Sequence, residues 1–532
     1  MTITILVGSL IQNADHYINK YRDYIFLSLV IFIFLTVSFK AINDDGITQD
    51  FVKQSNEGKT HFTYLLSGKV IDAKAVFYQS HGSFSYILSE LSFKLFHSTF
   101  KLLDSASARH IIIPLLLVFF LIPFYFFVKQ YFGTFISVAS ILIFISTPIV
   151  IGESFNNLKD VPLLIFISLS LFSFITWFCS NKIKYLYFFF LYGALAICIK
   201  VYALIIFAIL FFWLLILKCT KSFSKHNYYR KNLLKHIVLG CFLLVVIFIV
   251  FFKPAFWGVQ NKISYLQFWL IMTKILYISD SWTWNAYTFQ QMFYRMPLLM
   301  LISFALGLLS LILSKKKNII SVFFIVWLLM HLILHCLPRL GLYQQVRLFI
   351  ACTVPFSIIS AVGISQVRSL FKNNYLAIGL LISTVMLNLY GIISVYPYER
   401  CYFNFFAGGL KGAQEKRIKH AYDVQFDSQK EVSYWFDLNA KPNAKVIVLY
   451  NRSIVYDMLG YMVKSHLRRN DIQVKGSYDI RKESVKRNTY IVFIPLPELF
   501  EQRQFIEQKL NFKKVYTIER QKGEIASIYY KM

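Results

Sequence analysis

The stretch YIFLSLVIFIFLTVSFKAINDDG, residues 24–46, decides how the rest of the chain is read. From Tyr24 to Phe39 it is apolar apart from small hydroxyls, and with Lys40-Ala41-Ile42 it is long enough to cross a bilayer as one helix. It leaves the apolar phase on Asn43-Asp44-Asp45-Gly46. Two adjacent carboxylates at that point are costly to place and need a reason. One reading is a solvated turn that ends the helix. The other is a functional pair, and the next stretch of sequence favours it. Residues 43–110 form a first loop well supplied with His, Lys, Glu and Tyr, and far longer than a connection needs.

Outward from that stretch the chain stays apolar. Of its 532 residues 57% are hydrophobic and 18% aromatic, and the mean hydropathy of +0.54 exceeds what a water-soluble domain tolerates. Ten further apolar segments are legible, at roughly 111–128, 133–151, 161–180, 185–199, 201–218, 236–252, 297–314, 318–336, 347–366 and 375–395. The net charge of +29 does not point to nucleic acid, because much of it sits in short loops between these segments. Lys20, Arg22, Lys129, Lys182, Lys184, the cluster at 218–235, Lys315 to Lys317, Arg368 and Lys372 fall on one side of the bilayer. The positive-inside rule makes that side, with the N-terminus, cytoplasmic. An odd number of spans then puts residues 396–532 outside, in the same compartment as the first loop. Residues 1–23 lack the apolar core and small-residue site of a cleavable signal peptide. None of the seven cysteines forms a CxxC pair, so neither a disulfide framework nor a zinc module is indicated.

The expected fold is a polytopic α-helical membrane protein with about eleven transmembrane helices in residues 1–395, followed by a small extramembrane α/β domain in residues 396–532. In that tail Lys445 to Tyr450 and Thr489 to Pro495 read as strands, Ile454 to Arg468 and Leu499 to Leu510 as helices, and the runs either side of Gln521-Lys522-Gly523-Glu524 as a hairpin.

Ionisable residues at the outer membrane face are the candidate site. Asp44 or Asp45 can serve as a general base for an acceptor hydroxyl, with Asp44 the first choice and Asp160 next in line. Asp45 is expected to hold the loop, with His81, or to orient the acceptor. Asn157, Lys159, Asp160 and Pro162 form a polar break before an apolar helix, in which Asp160 also reads as an N-cap and Pro162 as a first-turn residue. Lys200, alone between two apolar segments, either snorkels to headgroups or holds a phosphate. Arg339 and Arg347 flank a short outer loop that carries Tyr343, and guanidinium suits phosphate through paired donors. Arg109 serves either as an interfacial anchor or as part of this set. His331 and His335 share a helix face, but without a nearby Glu they read as a packed pair.

These motifs, in this order, resemble the GT-C superfamily of polyprenyl-phosphate-sugar glycosyltransferases, with protein O-mannosyltransferases, the aminoarabinose transferase of lipid A and their bacterial relatives as the nearest branches. Asp44-Asp45 stands where the family carries acids after the first helix. Tyr78-Gln79-Ser80-His81-Gly82-Ser83 resembles its His-Pro-Pro or His-Gly-Pro loop motif. Asn157-Leu158-Lys159-Asp160-Val161-Pro162 is similar to its Asn-Pro-Lys-Asp-x-Pro, and Arg347-Leu348-Phe349 with Pro355 to its Arg-Tyr-Leu…Pro. Tyr398-Glu399, Tyr402-Phe403-Asn404 and Gly408-Gly409 resemble a segment of the bacterial relatives. The aminoarabinose branch has Glu-Lys-Pro-Pro where this chain has Ser80 to Ser83, which argues against that donor. The resemblance implies an inverting transfer from a lipid-phosphate sugar in a bacterial inner membrane to a glycan, lipid or protein acceptor. Lys200 and Arg347 would stabilise the leaving phosphate, and neither a cofactor nor a metal is called for. A transporter or flippase is the rival reading, but the pseudo-repeated halves usual in transporters are absent.

Overall fold

The computed structural model describes residues 2–44, 46–48, 50–77, 81–220, 233–259, 283–314, 318–338, 346–450 and 456–531. The predicted Asp45, Arg339 and Tyr343 lie outside these residues. Every apolar segment read from the sequence is helical. The first is the later part of α1 (Thr2–Ala41), closed by a turn in which the Asp44 N–H donates to the Ala41 carbonyl, 2.8 Å away. The first loop then folds into α2 (Phe51–Ser67), α3 (Phe84–Phe93) and α4 (Ser105–His110). There follow α5 (Ile112–Phe132), α6 (Thr134–Ser146), α7 (Pro148–Ser154), α8 (Asp160–Ser180), α9 (Ile183–Ile197), α10 (Ile205–Cys219) and α11 (Leu233–Phe251). Next come α12 (Tyr287–Arg295), α13 (Leu298–Leu313), α14 (Ile319–Leu334), α15 (Thr353–Phe371) and α16 (Asn374–Val395).

Among the described residues seven helices are long and apolar enough to cross a membrane, and α6 with α7 makes an eighth if that bent pair is one span. The remaining three predicted segments, α9, α13 and α14, are apolar but shorter. Helix α8 is the axis of the bundle, with 89% of its apolar window buried, whereas α11 has 11% buried and lies at the edge. On α11 the exposed side chains Leu234, Val238 and Phe242 recur every four residues, the single apolar row expected of a helix facing lipid. Helices α13 and α15 touch backbone to backbone. A Cβ on Gly307 would meet the Ile359 carbonyl oxygen at 1.9 Å, and one on Gly363 the Ser303 carbonyl at the same distance, a small-residue contact of the kind membrane helices use.

Two breaks in the helices shape the mouth of the bundle. Between α6 and α7 the axis bends by 61°, with Pro148 in the first turn of α7. Between α9 and α10 the chain leaves the helix at Cys198, passes Lys200 in an extended conformation, and re-enters through a short 3-10 turn, Val201–Leu204. Irregular backbone at membrane depth is tolerated only where protein buries it or a cavity adjoins it.

Helix α2 is not legible as a helix in the sequence because its polarity is inverted. Its buried face carries Gln54, Glu57, Thr60 and His61, so no apolar period marks it. Glu57 accepts from the Lys253 ammonium, which also donates to the Val76 carbonyl at 2.9 Å. His61 accepts from the Ala255 N–H at 3.1 Å.

The C-terminal region adds α17 (Gly409–Glu415), α18 (Gln429–Asn439), α19 (Tyr456–His466) and α20 (Phe500–Gln504) to five strands. These are β1 (Lys445–Leu449), β2 (Gln473–Ser477), β3 (Thr489–Phe493), β4 (Lys513–Arg520) and β5 (Gly523–Lys531), in the order β2-β1-β3-β5-β4. β1 pairs in parallel with β2 and β3, while β3–β5 and the hairpin β4–β5 are antiparallel. Its apolar cluster is separate from that of the bundle, yet it includes Ile47 of the first loop. The Gln429 amide donates to the Ile47 carbonyl, and the Lys430 ammonium to that of Asn43. The start of the first loop and the C-terminal region therefore lie against one another.

Candidate active site

Next to that contact is a small pocket that opens to solvent. Thr48, Asp50 and Gln54 line it from the first loop, Glu153, Asn156, Asn157 and Lys159 from the break between α7 and α8, and Arg347, Arg400 and Gln425 from the later chain. The bend at Pro148 makes this possible, since it turns α7 so that its last residues enter the bundle mouth instead of continuing a straight span.

Asp50 occupies the position before α2 where a short polar side chain would cap the helix, but it makes no capping bond. Its Oδ2 instead accepts from Lys159 Nζ at 2.6 Å. Burial pushes the Asp50 carboxyl up, but the Lys159 ammonium and then the Arg347 guanidinium outweigh that and hold it well below the usual carboxylate range. Asp160 was expected to cap α8, and it does not. Asn157 does so, its Oδ1 accepting from the N–H groups of Lys159 and Asp160 at 3.0 and 2.9 Å. The Asp160 carboxylate is thereby left to accept from Lys200 Nζ at 3.0 Å and from Asn157 Nδ2 at 3.1 Å, with Arg347 Nε 4.0 Å away. Around Asp50 and Asp160 stand the cations Lys159, Lys200 and Arg347.

His81 sits behind this cluster because its loop is pinned to the break between α9 and α10. The Gly82 N–H donates to Ile199, Phe84 N–H to Cys198 and Ser83 N–H to Phe252. A Cβ on Gly82 would collide with the Cys198 carbonyl at 2.0 Å, so the close approach requires glycine. Burial, with the Lys200 and Lys159 ammoniums beside it, pushes His81 well below its ordinary value and keeps the ring neutral.

On the opposite wall Arg400 joins the bundle to the C-terminal region. Its Nε donates to the Gly152 carbonyl at 3.1 Å and lies 3.4 Å from Glu153, and its Nη1 is 3.2 Å from Asp427. Arg295, itself buried, holds this segment by donating to the carbonyls of Arg400 and His420. Burial raises the carboxyls of Asp427 and Glu399 to about 7, and their neighbouring acids add to it while Arg400 opposes it.

The structure thus brings Asn157, Lys159, Asp160, Lys200, Arg347 and His81 together. Lys200, His81 and Asp160 stand behind the cavity wall rather than in it. Asp44 is elsewhere: it is exposed, and its carboxylate accepts from the Tyr396 hydroxyl. Arg109 is also apart, paired with buried Glu90 and stacked over Phe93 at 4.1 Å. His331 and His335 pack with the ring of Tyr202, at 5.9 and 5.4 Å. Asp50, Glu153, Arg400 and Gln425 were missed by sequence reasoning.

Residues 84–257 match the family described as dolichyl-phosphate-mannose-protein mannosyltransferase. The whole fold is similar to ArnT from Cupriavidus metallidurans bound to undecaprenyl phosphate, with a TM-score of 0.52 and 12% identity, covering 96% of this chain and 98% of that one. It is also similar to the archaeal oligosaccharyltransferase AglB from Archaeoglobus fulgidus, in complex with an inhibitory peptide and a dolichol-phosphate. There the TM-score is 0.53 and the identity 12%, over 89% of this chain and 69% of that one. No curated protein matches by sequence. Over residues 84–257 the chain is thus similar to a mannosyltransferase family, and its fold as a whole is similar to that of these two membrane proteins.

Proposed function

We propose that this chain transfers a sugar from a polyprenyl-phosphate donor to an acceptor on the outer side of a bacterial inner membrane, with inversion at the anomeric carbon and an Asp general base. One observation carries the reading. A single cavity is lined by the ionised carboxylate Asp50 and by the cations Lys159 and Arg347. The ligands of the two similar structures, undecaprenyl phosphate and dolichol-phosphate, support a lipid phosphate as the anion.

The base role moves from Asp44 to Asp50, because Asp44 does not line the cavity and Asp160 is enclosed by Lys200 and Asn157. In the reaction the acceptor hydroxyl gives its proton to Asp50 and its oxygen attacks the anomeric carbon. The bond from that carbon to the phosphate oxygen breaks, and the phosphate leaves with the electron pair. Arg347 and Lys159 stabilise the developing charge, while Lys200 and His81 position them through Asp160. An arriving phosphate also competes with Asp50 for Lys159. Loosening that ion pair raises the proton affinity of Asp50 when the acceptor needs it. The N-terminus is assigned to the cytoplasm and residues 396–532 to the outside, in keeping with the Lys and Arg asymmetry. Incubation of the purified protein with a labelled polyprenyl-phosphate sugar and candidate acceptors tests the proposal. Release of lipid phosphate that depends on acceptor is expected, and its absence with every donor and acceptor would sink it.

A further inference from the structure

Three carboxamides converge on the cavity, each with an end to spare. Gln54 Oε1, Asn156 Oδ1 and Gln425 Nε2 are buried and have no hydrogen-bond partner among the described residues, and all three side chains line the cavity. Each residue is at most 4% exposed. They come from separate elements: α2, the turn after α7, and the loop that precedes α18. Buried polar groups are satisfied almost without exception in folded proteins, so three spare ends around one space point to a ligand. Asn156 donates its Nδ2 to Asp427 at 3.3 Å, which fixes its carbonyl oxygen as the free end. Gln425 is aimed by its neighbours. Phe426 adopts a left-handed backbone, φ 58°, with its ring fully buried, and Asp423 accepts from the N–H groups of Asp427 and Ser428 at 3.0 and 2.9 Å.

We propose that Gln54, Asn156 and Gln425 bind the hydroxyls of the transferred sugar and set a preference for an uncharged one, an inference that rests on the glycosyl-transfer reading above. The group between a base for the acceptor and a site for the phosphate is the sugar itself, and these amides line the same cavity as Asp50 and Arg347. Hydroxyls donate and accept, matching free ends that comprise two acceptors and one donor. A sugar ammonium would only donate, so it could not accept from the free Gln425 end. A site built around such bonds discriminates strongly against a sugar lacking the hydroxyl.

The test compares detergent-purified wild type with Gln425→Met and, from the opposite wall, Gln54→Met. Binding is measured for bare undecaprenyl phosphate, for its uncharged hexose conjugates and for its amino-sugar conjugate. Wild type is expected to bind an uncharged conjugate more tightly than the amino-sugar one. Each variant should lose about threefold to tenfold in affinity for the uncharged conjugate and nothing for the bare lipid phosphate. Equal losses for bare and conjugated lipid, no loss in either variant, or a preference for the amino sugar overturns the inference while leaving glycosyl transfer intact. A change confined to the KM of the acceptor does the same by assigning the amides to the acceptor. Failure of wild type to bind any of these lipids removes the underlying reading instead.

Discussion

Arg109 and Arg347 look alike in the sequence, each a lone guanidinium at the head of an apolar helix, and the structure separates them. Arg109 meets one acid, Glu90, beneath the ring of Phe93, and the hydroxyls of Ser89 and Ser92 donate to the carbonyls of Arg109 and Ala108. Charge is balanced one to one there. Arg347 shares Asp160 with Lys200, stands near Lys159, and faces a cavity ringed with spare hydrogen-bonding ends. Burial of an ion pair therefore says little about function. Charged groups that line an open space, with polar groups still unpartnered, say much more.

The largest effect that could break this contrast is at the base. Asn in place of Asp50 keeps the shape but cannot take a proton, and general-base catalysis is worth about 10²–10⁴-fold. Turnover of Asp50→Asn should fall by that range while binding of bare lipid phosphate persists. Single-turnover release of lipid phosphate measures it, and near-normal turnover would remove Asp50 from the mechanism.

The two arginines then give a crossed pair of outcomes. Arg109→Ala leaves Glu90 buried and unpaired, which costs on the order of 3–5 kcal/mol of stability. It should lower the thermal midpoint and yield, with normal activity per folded molecule. Arg347→Ala should fold but lose a charge-assisted contact worth about 1.5–3 kcal/mol, so donor use falls by roughly tenfold to a hundredfold. If Arg347→Ala were merely unstable, or Arg109→Ala folded but inactive, the contrast would be reversed.

A smaller effect comes from the wall where Arg400 serves two acids. Burial raises Asp427 and Glu399 to about 7, against about 4 in an unfolded chain. Between those values the native state binds more protons than the unfolded state, so this contribution to stability is full at low pH and lost as pH rises through about 7. The thermal midpoint should decline from pH 5 to pH 8 with a slope that flattens in Asp427→Asn. An unchanged slope in that variant would show these acids to be ionised throughout.

How much of this is legible in the sequence depends on what each residue signals locally. The apolar segments are readable because lipid-facing helices such as α11 must be apolar along their length, and the β4–β5 hairpin because a turn sequence separates two runs of strand formers. Helix α2 is not, since its buried face is polar. The Asn157-Leu158-Lys159-Asp160 motif is legible as a cluster, but which side chain caps and which faces Lys200 is a matter of rotamers. Glu153, Arg400 and Gln425 come from regions separated by more than 200 residues, and only the folded contact between α7 and the C-terminal loop brings them to one cavity. Asp50 is overshadowed by the more conspicuous pair a few residues earlier.

That pair supplies the smallest expected effect. Asp44 is exposed, and its one described side-chain partner is the Tyr396 hydroxyl, whose proton the amide carbonyl of an Asp44→Asn variant can accept equally well. Substitutions at such surface positions are usually within about 0.5 kcal/mol, a factor of roughly two. Asp44→Asn should therefore keep turnover and donor binding within about twofold of wild type under conditions where Asp50→Asn is nearly dead. Assaying the two variants side by side, with Asp45→Asn as a third arm, separates the turn after α1 from the start of α2 as the source of the base. A loss of a hundredfold or more in Asp44→Asn or Asp45→Asn, beside an active Asp50→Asn, would return the base to the turn and make the Asp50–Lys159 pair structural, like Glu90–Arg109.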